Sequence, residues 1–200
     1  SFRALTFNPY KVIIRDNKSK LRDFLHLKTF ISRFDNVELY RVETNLKGSM
    51  DHGEGLNDLV QKIDTPYGVI MDADAVFLRK GWDAVLISQL SDSIPIIGTQ
   101  ADVGGGKPED FPLMFAVLFK TEIFRNLSID FRPLDISRFQ DTGWELREKY
   151  LAKGFSGKLL YDFNTRNYKK GPFADIPCSE YYLSPEGVGL IASHFGRGSA

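Results

Sequence analysis

The sequence has almost no cysteine, since Cys178 is the single one among 200 residues. One thiol excludes an internal disulfide and a metal site built from thiolates alone. Disulfides are rare where the compartment keeps thiols reduced, so this composition favours a reducing environment. We therefore expect a cytoplasmic protein, either free or at the periphery of a membrane.

Long apolar runs and an excess of one charge are also lacking. No stretch approaches the roughly 18 apolar residues of a membrane-spanning helix, and the first residues do not follow the pattern of a signal peptide. The 26 basic and 26 acidic side chains cancel, so no overall field would attract nucleic acid. These absences predict a globular protein with no transmembrane segment and no nucleic-acid partner.

What the sequence does contain is an alternation of strand-like and helix-like segments. β-branched and apolar runs predict strands, and apolar residues spaced by three and four predict helices. This alternation predicts an α/β fold, with helices on both faces of a mainly parallel sheet, formed by a single domain over residues 1–200. The predicted strands are 11–15, 37–42, 67–72, 94–98 and 113–119, and the predicted helices are 20–33, 56–63, 82–90 and 142–153.

Two segments have no regular pattern. Residues 100–112 include Gly104-Gly105-Gly106, and residues 161–186 are rich in Asn, Lys, Gly and Pro. Irregular loops of this length in a compact domain are usually functional or disordered. We expect both segments to be irregular and to act as lids over a substrate.

Two carboxylates stand where a buried strand ends, in the sequence Val69-Ile70-Met71-Asp72-Ala73-Asp74. Residues two apart in an extended chain point the same way, so Asp72 and Asp74 can address one site. Adjacent carboxylates repel each other, and a divalent cation would remove that repulsion while suiting oxygen ligands. A solvated acidic turn or a helix cap is the alternative interpretation of so short a motif.

Three further segments accompany this acidic motif. Ile14–Ser19 is a strand followed by Asp-Asn-Lys-Ser, Gly53–Asn57 has small residues and ends in Asn, and Gln140–Arg147 places an Asp ahead of a helix with Leu and Arg. In their order and separation, over about residues 11–160, they resemble the inverting family 2 glycosyltransferases with the GT-A fold. The chain departs from that family at Lys18, where the family has Gly, and at Gln140, where it usually has an acidic residue.

The resemblance implies a GT-A-type, Rossmann-like fold and a defined reaction. A sugar would pass from a nucleoside diphosphate sugar to a hydroxyl of a glycan or another acceptor, with inversion and with bound Mn²⁺ or Mg²⁺. The family also has a strand before the one at Lys11, which this sequence does not supply. We therefore expect that first strand to be missing and the bare sheet edge to favour association.

The resemblance also implies roles for individual residues. Asp74 would bind the ion that bridges the two phosphates, and Asp72 would place the ribose or an ion-bound water. Asp16 would contact the base or ribose, and Asp141 would be the general base that takes the acceptor proton. The remaining implied contacts are His52 near the base or phosphates, His194 as a late ion ligand, Arg197 on phosphate, and Trp144 and Asp102 on the acceptor side.

Several of these residues have a structural alternative. Asp141 could cap a helix over residues 142–153, which would leave Glu145 or Asp102 as the base. Asp16 could simply form a turn, His52 could be a solvent-exposed loop residue, and the segment after the apolar run 187–192 could be an unfolded tail. For the whole chain, the alternatives are a nucleotidyltransferase on a related sheet and a non-catalytic carbohydrate-binding domain.

Overall fold

The computed structural model describes residues 2–101, 107–135 and 140–196. The contacts within the chain divide it into two compact units. Unit 1 comprises residues 1–8, 66–127 and 147–200, and unit 2 comprises residues 9–65 and 128–146. No helix in the described ranges is long and apolar enough to cross a membrane.

The described residues form short helices and strands that alternate along most of the chain. In chain order they are α1 (Phe2–Leu5), β1 (Val12–Asp16), α2 (Leu21–Ile31), β2 (Val37–Arg41), α3 (Gly48–Gln61), β3 (Tyr67–Met71), β4 (Ala75–Phe77), α4 (Trp82–Ile87), β5 (Ile96–Thr99), β6 (Leu113–Lys120), α5 (Thr121–Asn126), α6 (Leu146–Ala152), β7 (Gly157–Asn164), β8 (Ser179–Tyr182) and β9 (Leu190–His194).

In unit 2, the strands β1 and β2 form a parallel pair, with Asp16 opposite Arg41. The helix α3 lies directly against the segment around Phe131. A Cβ atom on Gly53 would come within 2.7 Å of the Phe131 carbonyl oxygen and the Arg132 Cα, so only glycine permits this approach. The small-residue motif at 53–57 therefore has a packing role in this helix.

In unit 1, seven strands form one sheet in the order β3-β6-β5-β7-β8-β9-β4. Among the described strands of this sheet, β5 and β7 pair in parallel and every other neighbouring pair is antiparallel. The prediction of a mainly parallel sheet is therefore wrong. Buried strands of either direction have similar residue types, so the pattern could not reveal the direction.

The segment 161–186, expected to be irregular, contains the last four residues of β7 and the whole of β8. β7 ends at Asn164 and β8 runs from Ser179 to Tyr182, and the polar, Gly- and Pro-containing residues lie between them. β8 has four residues, which is too short for a strand periodicity to stand out. The expectation of an irregular lid over the whole segment is therefore wrong for the residues in β7 and β8.

The core of unit 1 is aromatic where the first residues of the chain meet the sheet. The rings of Phe77 and Trp82 stack with centroids 3.7 Å apart. Phe2 makes edge contacts with both rings, at 6.1 and 6.0 Å. Residues 2–5 thus form a helix that packs on the core instead of a sheet strand.

The strands β3 and β4 form the two edges of this sheet although three residues separate them in the chain. Seven strands about 4.8 Å apart would put the edges of a flat sheet roughly 29 Å apart. Four extended residues span at most about 14 Å. The N–H of Ala75 moreover donates to the Asp72 carbonyl at 3.0 Å and closes a tight turn. The sheet must therefore curve until its edges meet at Asp72-Ala73-Asp74.

Asp83, buried at the first turn of α4, anchors the segment that follows α1. Its carboxylate accepts hydrogen bonds from the N–H of Phe7 at 3.0 Å, the N–H of Asn8 at 2.8 Å and the Asn8 side chain at 2.7 Å. Burial opposes ionisation, but these hydrogen bonds outweigh it and hold the pKa of Asp83 below its ordinary value. Stability from such a group is present above the ordinary pKa and is lost as the pH falls through the lowered one.

We expect Asp83→Asn to lower the free energy of unfolding at pH 7 by about 1–3 kcal/mol, because buried donors lose a charged acceptor. The difference from wild type should shrink in acid, below the ordinary pKa of 3.8. Urea denaturation at a series of pH values measures both effects. The control is Asp92→Asn, which removes an exposed carboxylate paired with Lys120 and should change little. Equal effects of the two variants would contradict the anchoring role.

Candidate functional site

Asp72, Asp74 and His194 come together in unit 1. The two aspartates flank Ala73 in the turn between β3 and β4, and His194 ends β9, which pairs with β4. The N–H of Phe195 also donates to the Asp74 carbonyl at 2.9 Å. The His194 Nε2 atom lies 3.0 Å from Asp74 Oδ1 and 3.8 Å from Asp72 Oδ2. One ligand atom from each side chain lies within 4.8 Å of the others, and we call this group the acidic triad.

The acidic triad is closed on one side and open on the other. The side chains of His194 and Asp72 are 7% and 18% exposed, whereas that of Asp74 is 52% exposed. The ring of Phe115 stacks on the His194 imidazole, with centroids 4.7 Å apart and planes at 20°. The Lys107 ammonium lies 5.5 Å from the centre of the Phe115 ring. Solvent and ligands can therefore reach the triad past Asp74.

These three side chains fit a divalent ion. Ligand atoms about 2.1 Å from one ion lie up to about 4.2 Å apart, so small carboxylate rotations would bring the triad around it. Carboxylate oxygens suit Mg²⁺ and Mn²⁺, and the imidazole shifts the preference towards a transition ion. The arrangement could also bind a ligand through that ion, because three protein atoms leave coordination positions open.

The His194 ring is oriented by stacking on Phe115. Its Nδ1 atom is buried and has no hydrogen-bond partner among the described residues. A metal-bound histidine usually donates its second N–H to an acceptor; if His194 held an ion, the contact with Phe115 would restrain its ring instead. Phe115 was missed by sequence reasoning, because an aromatic residue in an apolar strand has the pattern of a core residue.

In unit 2, the Asp141 carboxylate lies in a turn and does not cap α6, which begins at Leu146. Its Oδ1 atom accepts a hydrogen bond from the Ser49 hydroxyl at 2.5 Å and from the Thr142 N–H at 2.8 Å. The Thr142 hydroxyl donates in turn to the Ser49 carbonyl at 3.2 Å. The helix-cap interpretation of Asp141 is therefore wrong. Nothing in the sequence pattern around Ser49 pointed to this contact.

His52 lies in α3, one helical turn after Ser49, and not in a solvent-exposed loop. Burial lowers the pKa of His52, while the negative charges of Asp141 and Asp51 oppose that shift. The lowered pKa means that the imidazole is neutral at pH 7, so it can accept a hydrogen bond through one nitrogen and donate through the other.

Asp16 ends β1 with a buried carboxylate that faces Arg41 of β2 at 3.4 Å. Arg41 also donates to the Ser19 carbonyl at 2.7 Å, so it fixes the turn after β1. Within this turn, Lys18 has a φ of 61°. That left-handed conformation favours glycine, which gives a physical reason for the glycine in the family that the sequence resembles.

The remaining candidates have the following positions. Glu145 accepts a hydrogen bond from the Asp130 N–H at 3.1 Å, and Trp144, in the turn before α6, is 40% exposed. The candidates Asp102 and Arg197, together with Gly104-Gly105-Gly106, lie outside the described residues.

Comparisons with known proteins identify a similar fold. No protein-family model and no curated protein sequence matches the chain. Among solved structures, the chain is similar to the mannosyltransferase PcManGT from Pyrobaculum calidifontis in complex with GDP-Man and Mn²⁺, with a TM-score of 0.56 and 16% identity. The match covers 82% of this chain and 50% of that one, so the chain spans about half the length of the solved protein. The likeness shows that this mixed sheet with helices occurs in a glycosyltransferase.

The lowered pKa of His52 gives a test of its burial. As the pH falls, His52 takes up a proton in the unfolded chain before it does so in the folded chain. The free energy of unfolding is therefore unaffected by His52 above the ordinary pKa of 6.5 and decreases as the pH falls below it. We expect His52→Gln to flatten the fall in unfolding free energy between about pH 7 and pH 5. Denaturant titrations at each pH provide the measurement. The matched control is His26→Gln on the exposed side of α2. If the unfolding free energy of His52→Gln falls with pH as steeply as that of the wild type, His52 is not the buried group.

Proposed function

We propose that the chain is a glycosyltransferase that moves a sugar from a nucleoside diphosphate sugar to an acceptor hydroxyl. We further propose that residues 1–200 act as one catalytic domain, that transfer inverts the anomeric centre and that it needs Mn²⁺ or Mg²⁺. The observation that carries the proposal is the convergence of Asp72, Asp74 and His194 at one turn. The likeness in fold to a mannosyltransferase solved with GDP-Man and Mn²⁺ supports it.

The acidic triad would serve the donor side of the reaction. A departing nucleoside diphosphate develops the largest negative charge in the transfer. A divalent ion held by Asp72, Asp74 and His194 would act as a Lewis acid on that leaving group. The two carboxylates alone would repel a diphosphate, so donor binding should require the ion.

Other residues would contact the rest of the donor. Lys107, held over the Phe115 ring, would add a positive charge that favours phosphate. Asp16, His52 and Arg197 are the proposed contacts to the ribose, base and phosphates. The neutral His52 could recognise a base edge through hydrogen bonds.

Asp141 is the proposed general base on the acceptor side. A base must come within about 3 Å of the hydroxyl whose proton it takes, so its carboxylate has to be held in one orientation. The Ser49 hydroxyl and the Thr142 N–H provide that restraint. Trp144, exposed in the same turn, would stack on a sugar ring, and Asp102 is a further proposed acceptor contact.

A donor labelled in its sugar tests the proposed reaction as a whole. Incubation with Mn²⁺, a panel of nucleoside diphosphate sugars and a panel of glycans should move the label to an acceptor and release nucleoside diphosphate. Release of pyrophosphate from a nucleoside triphosphate and a sugar phosphate would instead indicate a nucleotidyltransferase. Glycan binding without turnover would indicate a carbohydrate-binding domain.

Donor binding should depend on Mn²⁺ and on Asp74. We expect Mn²⁺ to increase the affinity for a nucleoside diphosphate in the wild type, and Asp74→Asn to remove most of that gain, because one charged ligand is lost. Calorimetry with and without Mn²⁺ measures the difference. The matched control is Asp110→Asn, whose carboxylate pairs with Arg147 at the surface of the same unit. Equal nucleotide binding with and without Mn²⁺ in the wild type would refute the metal dependence.

Asp141→Asn should reduce turnover by roughly 10²- to 10⁴-fold, the range for a lost general base. Nucleotide affinity should stay nearly constant, and the melting temperature should change little because an amide oxygen can still accept from Ser49. Initial rates, calorimetry and thermal melting measure the three quantities. The control is Glu145→Gln, which alters a carboxylate in the same turn that holds the Asp130 N–H. Normal turnover in Asp141→Asn with a large loss in Glu145→Gln would move the base to Glu145.

A further inference from the structure

Gly196 lies beside Asp74, two residues after His194. The chain is fixed here, since the Phe195 N–H donates to the Asp74 carbonyl at 2.9 Å and His194 pairs with Ala75 across the sheet. The Phe195 ring also contacts Phe173 edge-on, with centroids 5.1 Å apart. Gly196 therefore has a defined position next to the acidic triad.

A side chain at position 196 would collide with the Asp74 carboxylate and would approach the His194 ring. A Cβ atom built on Gly196 would overlap Asp74 Oδ2 and would lie 3.2 Å from both Asp74 Cγ and His194 Nε2. An ion held by the same two side chains would lie about 2.0–2.2 Å from each ligand atom. A Cβ atom would therefore force the Asp74 carboxylate out of the position in which it could share an ion with His194.

The kind of neighbour decides what such a substitution would cost. At Gly53, an added Cβ would meet the backbone of Phe131 and Arg132, so α3 and that segment would have to move apart. At Gly196 the obstacle is the end of an aspartate side chain that is 52% exposed. That carboxylate can rotate away, so the fold would tolerate a Cβ atom while the arrangement of ligands would not.

We propose that Gly196 is a positioning residue of the metal centre, because its lack of a side chain leaves room for the Asp74 carboxylate to lie beside His194. The inference rests on the metal centre of the proposed function. Alanine at this position would turn Asp74 away from His194 and weaken the binding of the ion without unfolding the chain.

The test is the binding of Mn²⁺ alone to the full chain, measured by calorimetry and by the EPR signal of free Mn²⁺. We expect Gly196→Ala to weaken Mn²⁺ binding by roughly 10- to 100-fold, the usual effect of residues that orient metal ligands. Its melting temperature without metal should remain close to that of the wild type. The matched control is Gly154→Ala in the same unit, where an added Cβ meets no atom within 4 Å but the φ is 77°. Gly154→Ala should cost some stability and leave Mn²⁺ binding unchanged.

The outcomes separate this inference from the proposed function. If the wild type and Gly196→Ala bind Mn²⁺ equally well, Gly196 does not position the centre, although the centre itself stands. If the wild type does not bind Mn²⁺, the metal centre fails and the inference with it. A Gly196→Ala variant that unfolds without metal would also overturn the inference, because glycine would then serve the fold and not the ion.

Discussion

The short connection at Asp72-Ala73-Asp74 is the constraint on which the candidate metal centre depends. Because it joins both edges of a seven-stranded sheet, the sheet has to curve, and β4 can then pair with β9. That pairing brings His194 to the two aspartates. Two carboxylates about 4 Å apart repel by roughly 1 kcal/mol in water and by roughly 4 kcal/mol near a protein surface. The turn thus concentrates negative charge that a cation would offset, and the fold itself produces the chemistry of the site.

The turn that carries Asp141 depends on a similar long-range restraint. Ser49 and Asp141 are 92 residues apart in the chain, and their hydrogen bond joins the first turn of α3 to a loop. Asn57 of the same helix holds the chain about ten residues before Asp141. Its side chain donates to the Asp130 carboxylate and accepts from the Phe131 N–H. Glycine at position 53 lets helix and loop approach closely enough for these contacts. The carboxylate of Asp141 is therefore placed by the packing of α3 and not by the helix that follows it.

Local sequence patterns predicted β1, β2, β3 and β6 and the helices α2 and α4 to within a few residues, because each contains its own apolar periodicity. The same patterns located Asp72 and Asp74 at the end of a strand. They did not predict β7, β8 and β9 as strands, and they could not predict that β6 pairs antiparallel with β3 and β5, which depends on how distant segments meet. The sequence also could not predict the contacts of Ser49, Phe115 and Gly196. Each of these residues is common in its local setting: serine at a helix start, phenylalanine in a strand, and glycine near a histidine.

The sheet is mostly antiparallel and not parallel as predicted, but ligands are still expected at Asp72 and Asp74. In a parallel sheet, side chains meet because the carboxyl ends of strands share one edge. Here β4 and β9 pair antiparallel. The last residue of β9, His194, therefore lies opposite the first residue of β4, Ala75. Convergence therefore follows from pairing next to a turn, whatever the direction of the remaining strands. The acidic motif and the late histidine require only that β4 and β9 are neighbours, and the curvature of the sheet provides that.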